Sequence, residues 1–201
     1  MKRAAVTIAL VAAAAFTFTP VRADAAGNVN FFLGQKNLDL NNQNVPDLEQ
    51  VEDQFAFGAI MSFGATDWPV QIAADVLVTA DQQTISGVDL SSTTFEFDAG
   101  VRWLIYKKGK VFPYVGAGVG LIGAAAELDF GGGLGKFDDG DASLGFWADG
   151  GVFFRLGSHF NIGVDLRYSD ASVDLDFGNG IVAQDLNAGG FSYGLLVGFG
   201  W

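Results

Sequence analysis

Ionisable side chains recur at alternate positions of segments that are otherwise apolar and rich in glycine. Eight of them share one face of those segments: Asp75, Glu96, Asp98, Arg102, Asp149, Arg155, Asp165 and Arg167. Removing an ion from water costs several kcal/mol unless an opposite charge compensates it. The pattern therefore predicts a network of ion pairs in a protein interior, with Arg102 near Asp165.

Asp149 and Arg167 form the best-defined pair of this network. Each lies nine residues from the centre of the short segment 157–159, so a tight turn there places them opposite one another on adjacent strands. We expect Asp98 or Asp75 at a similar height. The network predicts a plug of salt bridges, and the alternatives are a polar path for water or small ions and a catalytic acid–base pair.

The composition narrows the classes of protein that could hold such a network. Of 201 residues, 50% are hydrophobic, 17% are charged and 28 are glycine, and the formal net charge is −12. This composition excludes a disordered chain and argues against a nucleic-acid-binding protein, which needs clustered basic residues. The chain has no cysteine and one histidine, His159, so we expect no thiol chemistry, no cofactor and no metal site.

The first residues are typical of an export signal. A basic head precedes an apolar run over 4–18, and small residues follow at Ala23 and Ala25. The run is shorter than the about 20 residues that a membrane-spanning helix needs. We therefore predict a signal peptide over 1–25 and a single domain over 26–201, with an uncleaved anchor helix as the alternative.

Period-two alternation of apolar and polar residues continues through the rest of the chain. It predicts eight strands, over 28–36, 54–63, 69–79, 93–106, 111–128, 144–156, 160–169 and 190–201. The connections alternate between short ones, at 64–68, 107–110 and 157–159, and long ones, at 37–53, 80–92, 129–143 and 170–189. This pattern is typical of an all-β fold, an eight-stranded antiparallel up-and-down transmembrane β-barrel.

The direction in which the apolar face of the strands points decides between a membrane barrel and a water-soluble one. A lipid-facing surface carries aromatic rings at two heights, where they meet the headgroups of each leaflet. The predicted aromatic girdles are Phe55, Phe57, Phe95, Phe97, Phe146, Tyr168, Phe191 and Tyr193 near the long loops, and Phe63, Trp103, Phe154, Phe160, Phe199 and Trp201 near the short turns. We expect the lysines beyond the signal segment in or beside loops: Lys36, Lys107, Lys108, Lys110 and Lys136. A soluble lipocalin-like binder with the faces reversed is the alternative.

Two segments resemble those of a known family. Residues 113–120, Pro-Tyr-Val-Gly-Ala-Gly-Val-Gly, resemble the fifth-strand motif of the small bacterial outer-membrane β-barrel superfamily, which includes OmpA-like, OmpX/Opa-like and OmpW-like barrels. Residues 193–201 resemble the C-terminal signal that the barrel-assembly machinery reads, with Trp in place of the usual Phe. The resemblance implies a bacterial outer-membrane protein in contact with lipids and lipopolysaccharide, and we expect no peptidoglycan-binding domain after the barrel.

Several barrels of this kind are enzymes, namely lipid A deacylases, palmitoyltransferases and omptin-like proteases, and each needs a histidine at the outer rim. His159 falls in a short turn at the other end, so we expect no enzyme. The acidic segments 137–141 and 169–176 offer oxygens that Ca²⁺ prefers, but the first lacks the ligand spacing of an EF-hand. We interpret both as solvated surface. The alternation at 173–177 predicts that the seventh strand extends beyond the membrane and contacts a partner.

The sequence thus predicts an integral outer-membrane barrel with a structural or surface-interaction role, in membrane integrity or in adhesion through acidic extracellular loops. A narrow OmpW-like channel for small solutes is the first alternative. The expected partners are outer-membrane lipids and lipopolysaccharide, the barrel-assembly machinery through the last strand, and an extracellular ligand at the long loops. No nucleic acid is expected.

Overall fold

The computed structural model describes residues 25–38, 53–65, 68–85, 88–105, 109–129, 136–176 and 182–201. Ten strands lie in these ranges: β1 (Ala25–Asn37), β2 (Asp53–Ala65), β3 (Val70–Ile85), β4 (Val88–Leu104), β5 (Val111–Asp129), β6 (Lys136–Leu156), β7 (Phe160–Asp170), β8 (Ser172–Asp176), β9 (Val182–Asn187) and β10 (Gly190–Gly200). No helix in these ranges is long and apolar enough to span a bilayer. The predicted signal peptide lies outside them, except that Ala25 begins β1.

Eight of the strands form a closed antiparallel barrel in the order β1-β10-β7-β6-β5-β4-β3-β2. A path that follows the paired residues from Gly27 through all eight strands returns to β1 at Asn37. The ten-residue offset between these two positions is the shear number, and it means that the strands are tilted to the barrel axis. An eight-stranded barrel has an interior that side chains can just fill, so what lies inside must pack closely.

Alternation of exposed and buried residues follows the predicted faces. On β7 the exposed residues are Phe160, Ile162, Val164, Leu166 and Tyr168, and the residues between them are buried. The exposed residues are apolar and the buried ones include Asp165 and Arg167, the reverse of a water-soluble protein. Hydrocarbon on the outside explains this pattern, because a lipid-facing strand has its apolar side chains out and its polar ones in.

The predicted girdle residues are exposed or half-buried on the outside of the barrel. Their rings meet within each girdle. In the outer girdle, near the long connections, the pairs are Phe55–Phe57, Phe95–Phe97, Phe146–Tyr168 and Phe191–Tyr193, and in the inner girdle they are Phe63–Trp201 and Phe160–Phe199. Aliphatic side chains such as Leu195 and Val164 lie between the two levels and are exposed.

Two of the predicted long loops are largely strand. The range 80–92 shortens to the two residues between β3 and β4, and 129–143 is mostly taken up by β5 and β6. The sequence did not show this because these extensions leave the membrane, where the apolar alternation ends although backbone pairing continues. Residues 81–85 of β3 and 136–145 of β6 pair on one side only in the described registers. We call this outer extension of β3–β6 the raised wall.

The seventh strand does not extend as predicted. β7 ends at Asp170, and β8 pairs with β9 in a separate two-stranded sheet. Val173 and Leu186 of this sheet pack with the flanking residues Ala171 and Ala188 at the outer mouth of the barrel. They contact the inward residue Ile122 of β5, and we call these five residues the outer apolar cluster. Val173 is therefore buried instead of being available to a partner, and Phe177 lies outside the described residues.

Candidate functional site: a charged layer across the barrel interior

Charged side chains from five strands meet inside the barrel. We call this group the charge layer, and its members are Lys36, Asp75, Glu96, Asp98, Arg102, Asp149, Asp165 and Arg167, each at most 7% exposed. They lie at inward positions of β1, β3, β4, β6 and β7, where tilted strands bring distant parts of the sequence to neighbouring depths. Seven of the eight predicted network residues belong to the layer.

Arg167 connects opposite walls of the barrel. Its Nη1 donates to Oδ2 of Asp75 at 3.1 Å, and its Nη2 donates to Oδ2 of Asp98 at 2.7 Å. The Nε atom lies 3.7 Å from Oε2 of Glu96. β7 and β3 are four strands apart in either direction around the barrel, so the bond from Arg167 to Asp75 spans the lumen.

Arg102 provides a second bridge, between β4, β3 and β6. Its Nη2 donates to Oδ2 of Asp75 at 2.8 Å and also to Oδ2 of Asp149. Its Nη1 donates to the carbonyl oxygen of Met61 at 3.2 Å. Asp75 therefore accepts bonds from both arginines, and it links the two bridges into one network.

Lys36 is a member of the layer that was not predicted from the sequence. It lies one residue before the end of β1, beside a connection as expected, but its side chain is fully buried in the barrel interior. Its Nζ donates to Oε1 of Glu96 at 2.6 Å and to the carbonyl oxygen of Ala188 at 2.8 Å. The ammonium group thus joins the charge layer to the chain segment that carries the outer apolar cluster. Of the other lysines, Lys107 and Lys108 lie outside the described residues.

Trp147 packs against both arginines. The Arg167 guanidinium carbon is 4.5 Å from the ring centroid, and that of Arg102 is 5.7 Å away. The face of an indole ring attracts cations, and more strongly when water is excluded. Trp147 is only 1% exposed, so it fills the space between the two bridges and holds the guanidinium groups in place.

Two predicted contacts of the network differ from those in the structure. Asp149 lies opposite Arg167 in the register, but its carboxylate contacts Arg102. Arg102 contacts Asp75 and Asp149 instead of Asp165. The register fixes which backbone positions face each other, whereas a long arginine side chain can reach carboxylates across the lumen.

Arg155 does not join the carboxylates. It donates to Oδ1 of Asn28 at 2.5 Å and to Oδ1 of Asn161 at 3.0 Å, near the inner end of the barrel. Its guanidinium carbon lies 4.9 Å from the centroid of Phe112. An apolar layer that includes Phe112 and Phe153 separates this group from the charge layer.

Asp165 differs from the other carboxylates of the layer. Its Oδ2 accepts a bond of 2.5 Å from the hydroxyl of Tyr114, and its Oδ1 has no hydrogen-bond partner. Among the described residues no arginine, lysine or histidine nitrogen forms an ion pair with it. The side chain is fully buried. The one hydrogen-bond donor to this buried carboxyl group is therefore a neutral hydroxyl.

The fifth-strand glycines make room for the charge layer. A methyl group on Gly116 would overlap Oδ1 of Asp149, and one on Gly120 would overlap Oδ1 of Asp98. Both glycines lie at inward positions of β5. The glycine spacing of the motif at 113–120 thus has a local physical explanation: the carboxylates of neighbouring strands occupy the space that side chains of β5 would fill.

We expect Gly120→Ala to lower the free energy of unfolding by about 1–3 kcal/mol, the usual cost of overpacking a filled interior. The new methyl group displaces Asp98 from Arg167. Gly150→Ala is the matched control, because a methyl group there would come no closer than 3.7 Å to its neighbours. Urea unfolding in lipid vesicles measures the difference. Equal stability of the two variants would contradict this account of the glycines.

Outside the membrane, the acidic segments form no metal site in the part of the chain that the structure describes. Asp141 of the raised wall accepts a bond of 3.0 Å from the backbone N–H of Asp174. This bond, together with one from the N–H of Ala142, lowers the pKa of Asp141 below its ordinary value. The carboxylate therefore attaches β8 to β6 instead of standing ready for a cation.

His159 is exposed in the turn between β6 and β7, at the inner end of the barrel. Its carbonyl oxygen accepts a bond of 2.7 Å from the N–H of Gly200. This position is remote from the raised wall and the outer mouth.

A closed antiparallel barrel with apolar girdles outside and paired charges inside defines a transmembrane β-barrel. The sequence profile described as "Outer membrane protein beta-barrel domain" matches residues 4–199, and the chain belongs to that family. Membership excludes the soluble lipocalin-like alternative and confirms the resemblance and the eight-stranded barrel that the sequence predicted. No curated protein is significantly similar in sequence.

Solved structures share the fold at low sequence identity. Ail, the attachment invasion locus protein of Yersinia pestis, in complex with the heparin analogue sucrose octasulfate, is 13% identical with a TM-score of 0.59, covering 89% of this chain and 100% of Ail. Neisserial surface protein A is 17% identical with a TM-score of 0.50, covering 87% and 97%. The outer membrane protein OprG from Pseudomonas aeruginosa is 11% identical with a TM-score of 0.50, covering 89% and 95%.

Lys36 and Tyr114 are interior residues that were not predicted from the sequence. Lys36 is in phase with the inward residues Asn28 and Asn30 of β1, which was the available signal. Tyr114 lies two residues before Gly116 on the inward side of β5, and its phase with the inward glycines was the available signal. Their positions show that alternation, not residue type, decides the side of a barrel strand.

Proposed function

We propose that the protein is a closed outer-membrane barrel that acts through its outer surface, in membrane integrity or adhesion, and not by transport. The observation that carries this proposal is the bond from Arg167 to Asp75, which crosses the lumen between opposite walls. The side chain of Trp147 fills the space beside it, and the outer apolar cluster packs over the mouth. An ion would have to displace all three to pass.

The raised wall supports a role in contact with other molecules. Among the described residues its edge at 81–85 pairs on one side only, and such an edge offers backbone donors and acceptors to an added strand. Exposed aspartates surround this end, including Asp53, Asp141, Asp174 and Asp185. We expect an extracellular ligand there to be neutral or basic. The sulfated ligand of Ail is for that reason a poor guide to this chain.

The remaining partners are also proposals. The exposed girdles and the aliphatic band between them fit outer-membrane lipids and lipopolysaccharide. β10, which ends beside the aromatic Trp201, fits recognition by the barrel-assembly machinery. We propose no enzymatic activity, because the one histidine lies in an inner turn and four of the five carboxyl groups of the charge layer form ion pairs.

A narrow channel is the second candidate. Several buried polar atoms in or near the charge layer have no hydrogen-bond partner, among them Oδ1 of Asp98 and Oδ1 of Asp149. Buried acceptors without a donor are costly and are commonly satisfied by ordered water. A connected file of such waters would be a path for small solutes.

Planar-bilayer conductance and liposome swelling decide between the two candidates. We expect no conductance steps from the wild-type protein above the background of protein-free bilayers, and no swelling with small neutral sugars. The amount of folded protein in the same sample is measured from its heat-sensitive electrophoretic mobility. Reproducible steps in proportion to the amount of folded protein would overturn the closed-barrel proposal and favour the channel.

A further inference from the structure

Negative charge is in excess in the charge layer. Its three cationic groups are Lys36, Arg102 and Arg167, whereas its carboxyl groups are Asp75, Glu96, Asp98, Asp149 and Asp165. All of them are buried in the lumen, at most 7% exposed. An isolated carboxylate in such surroundings is far less stable than in water and neutralises instead. The excess must therefore be reduced by something other than a side chain.

The contacts identify Asp165 as the group without compensation. Asp75, Asp98, Asp149 and Glu96 each form an ion pair with an arginine or a lysine. Asp165 forms none with the described residues, and its one donor is the neutral hydroxyl of Tyr114. Its Oδ1 is buried and has no partner.

Groups on the surrounding strands affect the charge of the Asp165 carboxyl group. Tyr114 of β5 donates to it, and Asp149 of β6 repels its charge. Arg167 of β7 and Arg102 of β4 attract that charge without contacting it. On β10 the paired residue is Gly194, which has no side chain to offer. Both arginines are already bound to other carboxylates, so little attraction remains for Asp165.

We propose that Asp165 is a proton-binding site in the centre of the barrel: it takes a proton from solvent during folding and holds it as a neutral carboxylic acid at neutral pH. The proton fits on Oδ1, because Oδ2 already accepts the hydrogen bond from Tyr114. Protonation also removes the repulsion between Asp165 and Asp149. The inference is independent of the proposed surface role, since it concerns only the charge state of the interior.

A pH dependence follows from this proton. An ordinary aspartate of the unfolded chain is ionised above about pH 4, so at neutral pH the native state binds one proton more than the unfolded state. Stability then falls as pH rises. In Asp165→Asn, which has no proton to lose, this loss should be absent.

Asp165→Asn and Asp149→Asn form the matched pair for the test, since each replaces one buried carboxyl by an amide of the same shape. We expect D165N to match the wild-type urea midpoint near pH 4, to exceed it at neutral pH because its native state takes up no proton, and to lack the wild-type decline between these two pH values. D149N, which removes a partner of Arg102, should lower the midpoint. A midpoint that falls as far in D165N as in D149N would overturn the proposal.

Infrared spectroscopy of the folded protein in vesicles tests the proton directly and does not depend on how a variant folds. We expect the carbonyl band of a protonated carboxylic acid in the wild type at neutral pH, its loss in D165N and its retention in D149N. Absence of the band from the wild type, or its persistence in D165N, would show that Asp165 does not hold the proton.

Discussion

Replacing Arg167 with methionine is expected to lower the free energy of unfolding by about 3–5 kcal/mol, because it leaves buried carboxylates without their cation. Asp98 loses the ion pair of 2.7 Å and Asp75 loses the bond of 3.1 Å that crosses the lumen. Methionine keeps much of the volume beside Trp147, so the effect reports mainly on charge. Urea unfolding in phospholipid vesicles measures it.

Arg155→Met is the control for this prediction. Arg155 is half-buried and donates to two neutral amides, Asn28 and Asn161, so its loss should cost only about 0.5–1.5 kcal/mol per bond. Adding Asp98→Asn to Arg167→Met should recover part of the loss, since contacting residues are energetically coupled. If both arginine variants were equally stable, the charge layer would not be the feature that holds the interior together.

Replacing Leu195 with arginine is expected to cost about 2–4 kcal/mol, the penalty for a cation at the midplane of a bilayer on the lipid side of a barrel. Leu195 is 59% exposed and lies between the two aromatic girdles. In a water-soluble protein the same change at so exposed a position would be nearly neutral. Unfolding in vesicles again gives the free energy.

Leu144→Arg tests whether the cost of an arginine depends on its depth in the bilayer or only on the exposure of the replaced side chain. Leu144 is 82% exposed and lies two residues beyond Phe146, a member of the outer girdle. An arginine there can reach the headgroups, where the cost falls to about 0–1 kcal/mol. Similar costs at Leu144 and Leu195 would mean that the position of the membrane around the barrel is wrong.

The alternation of residues was enough to predict the barrel and, on β7, which residues face lipid and which face the lumen. Arg167 and Asp149 were placed opposite each other from their distances to the turn at 157–159, and the register agrees. Alternation is a local property of each strand, and lipid outside with a filled lumen inside imposes it on every strand.

What could not be predicted depends on the shape of the whole barrel. Arg102 reaches Asp75 and Asp149 because the tilt of the strands brings those depths together, and no local pattern records the tilt. Lys36 was not predicted in the interior because lysine is rarely buried, and its partner Glu96 is three strands away. The raised wall was predicted as loops because it lies outside the apolar environment that produces the alternation.

The pairing of β1 with β10 has a consequence for the order of folding. These strands hold residues from the two ends of the described chain side by side, with Gly27 and Trp201 exchanging backbone bonds of 3.0 and 3.2 Å. Contacts between residues so distant in sequence form late and slowly. Until β10 pairs with β1, the sheet has two open margins whose backbone N–H and C=O groups find no hydrogen-bond partner in hydrocarbon. Entry into the bilayer and completion of the cylinder are therefore expected to be a single concerted event.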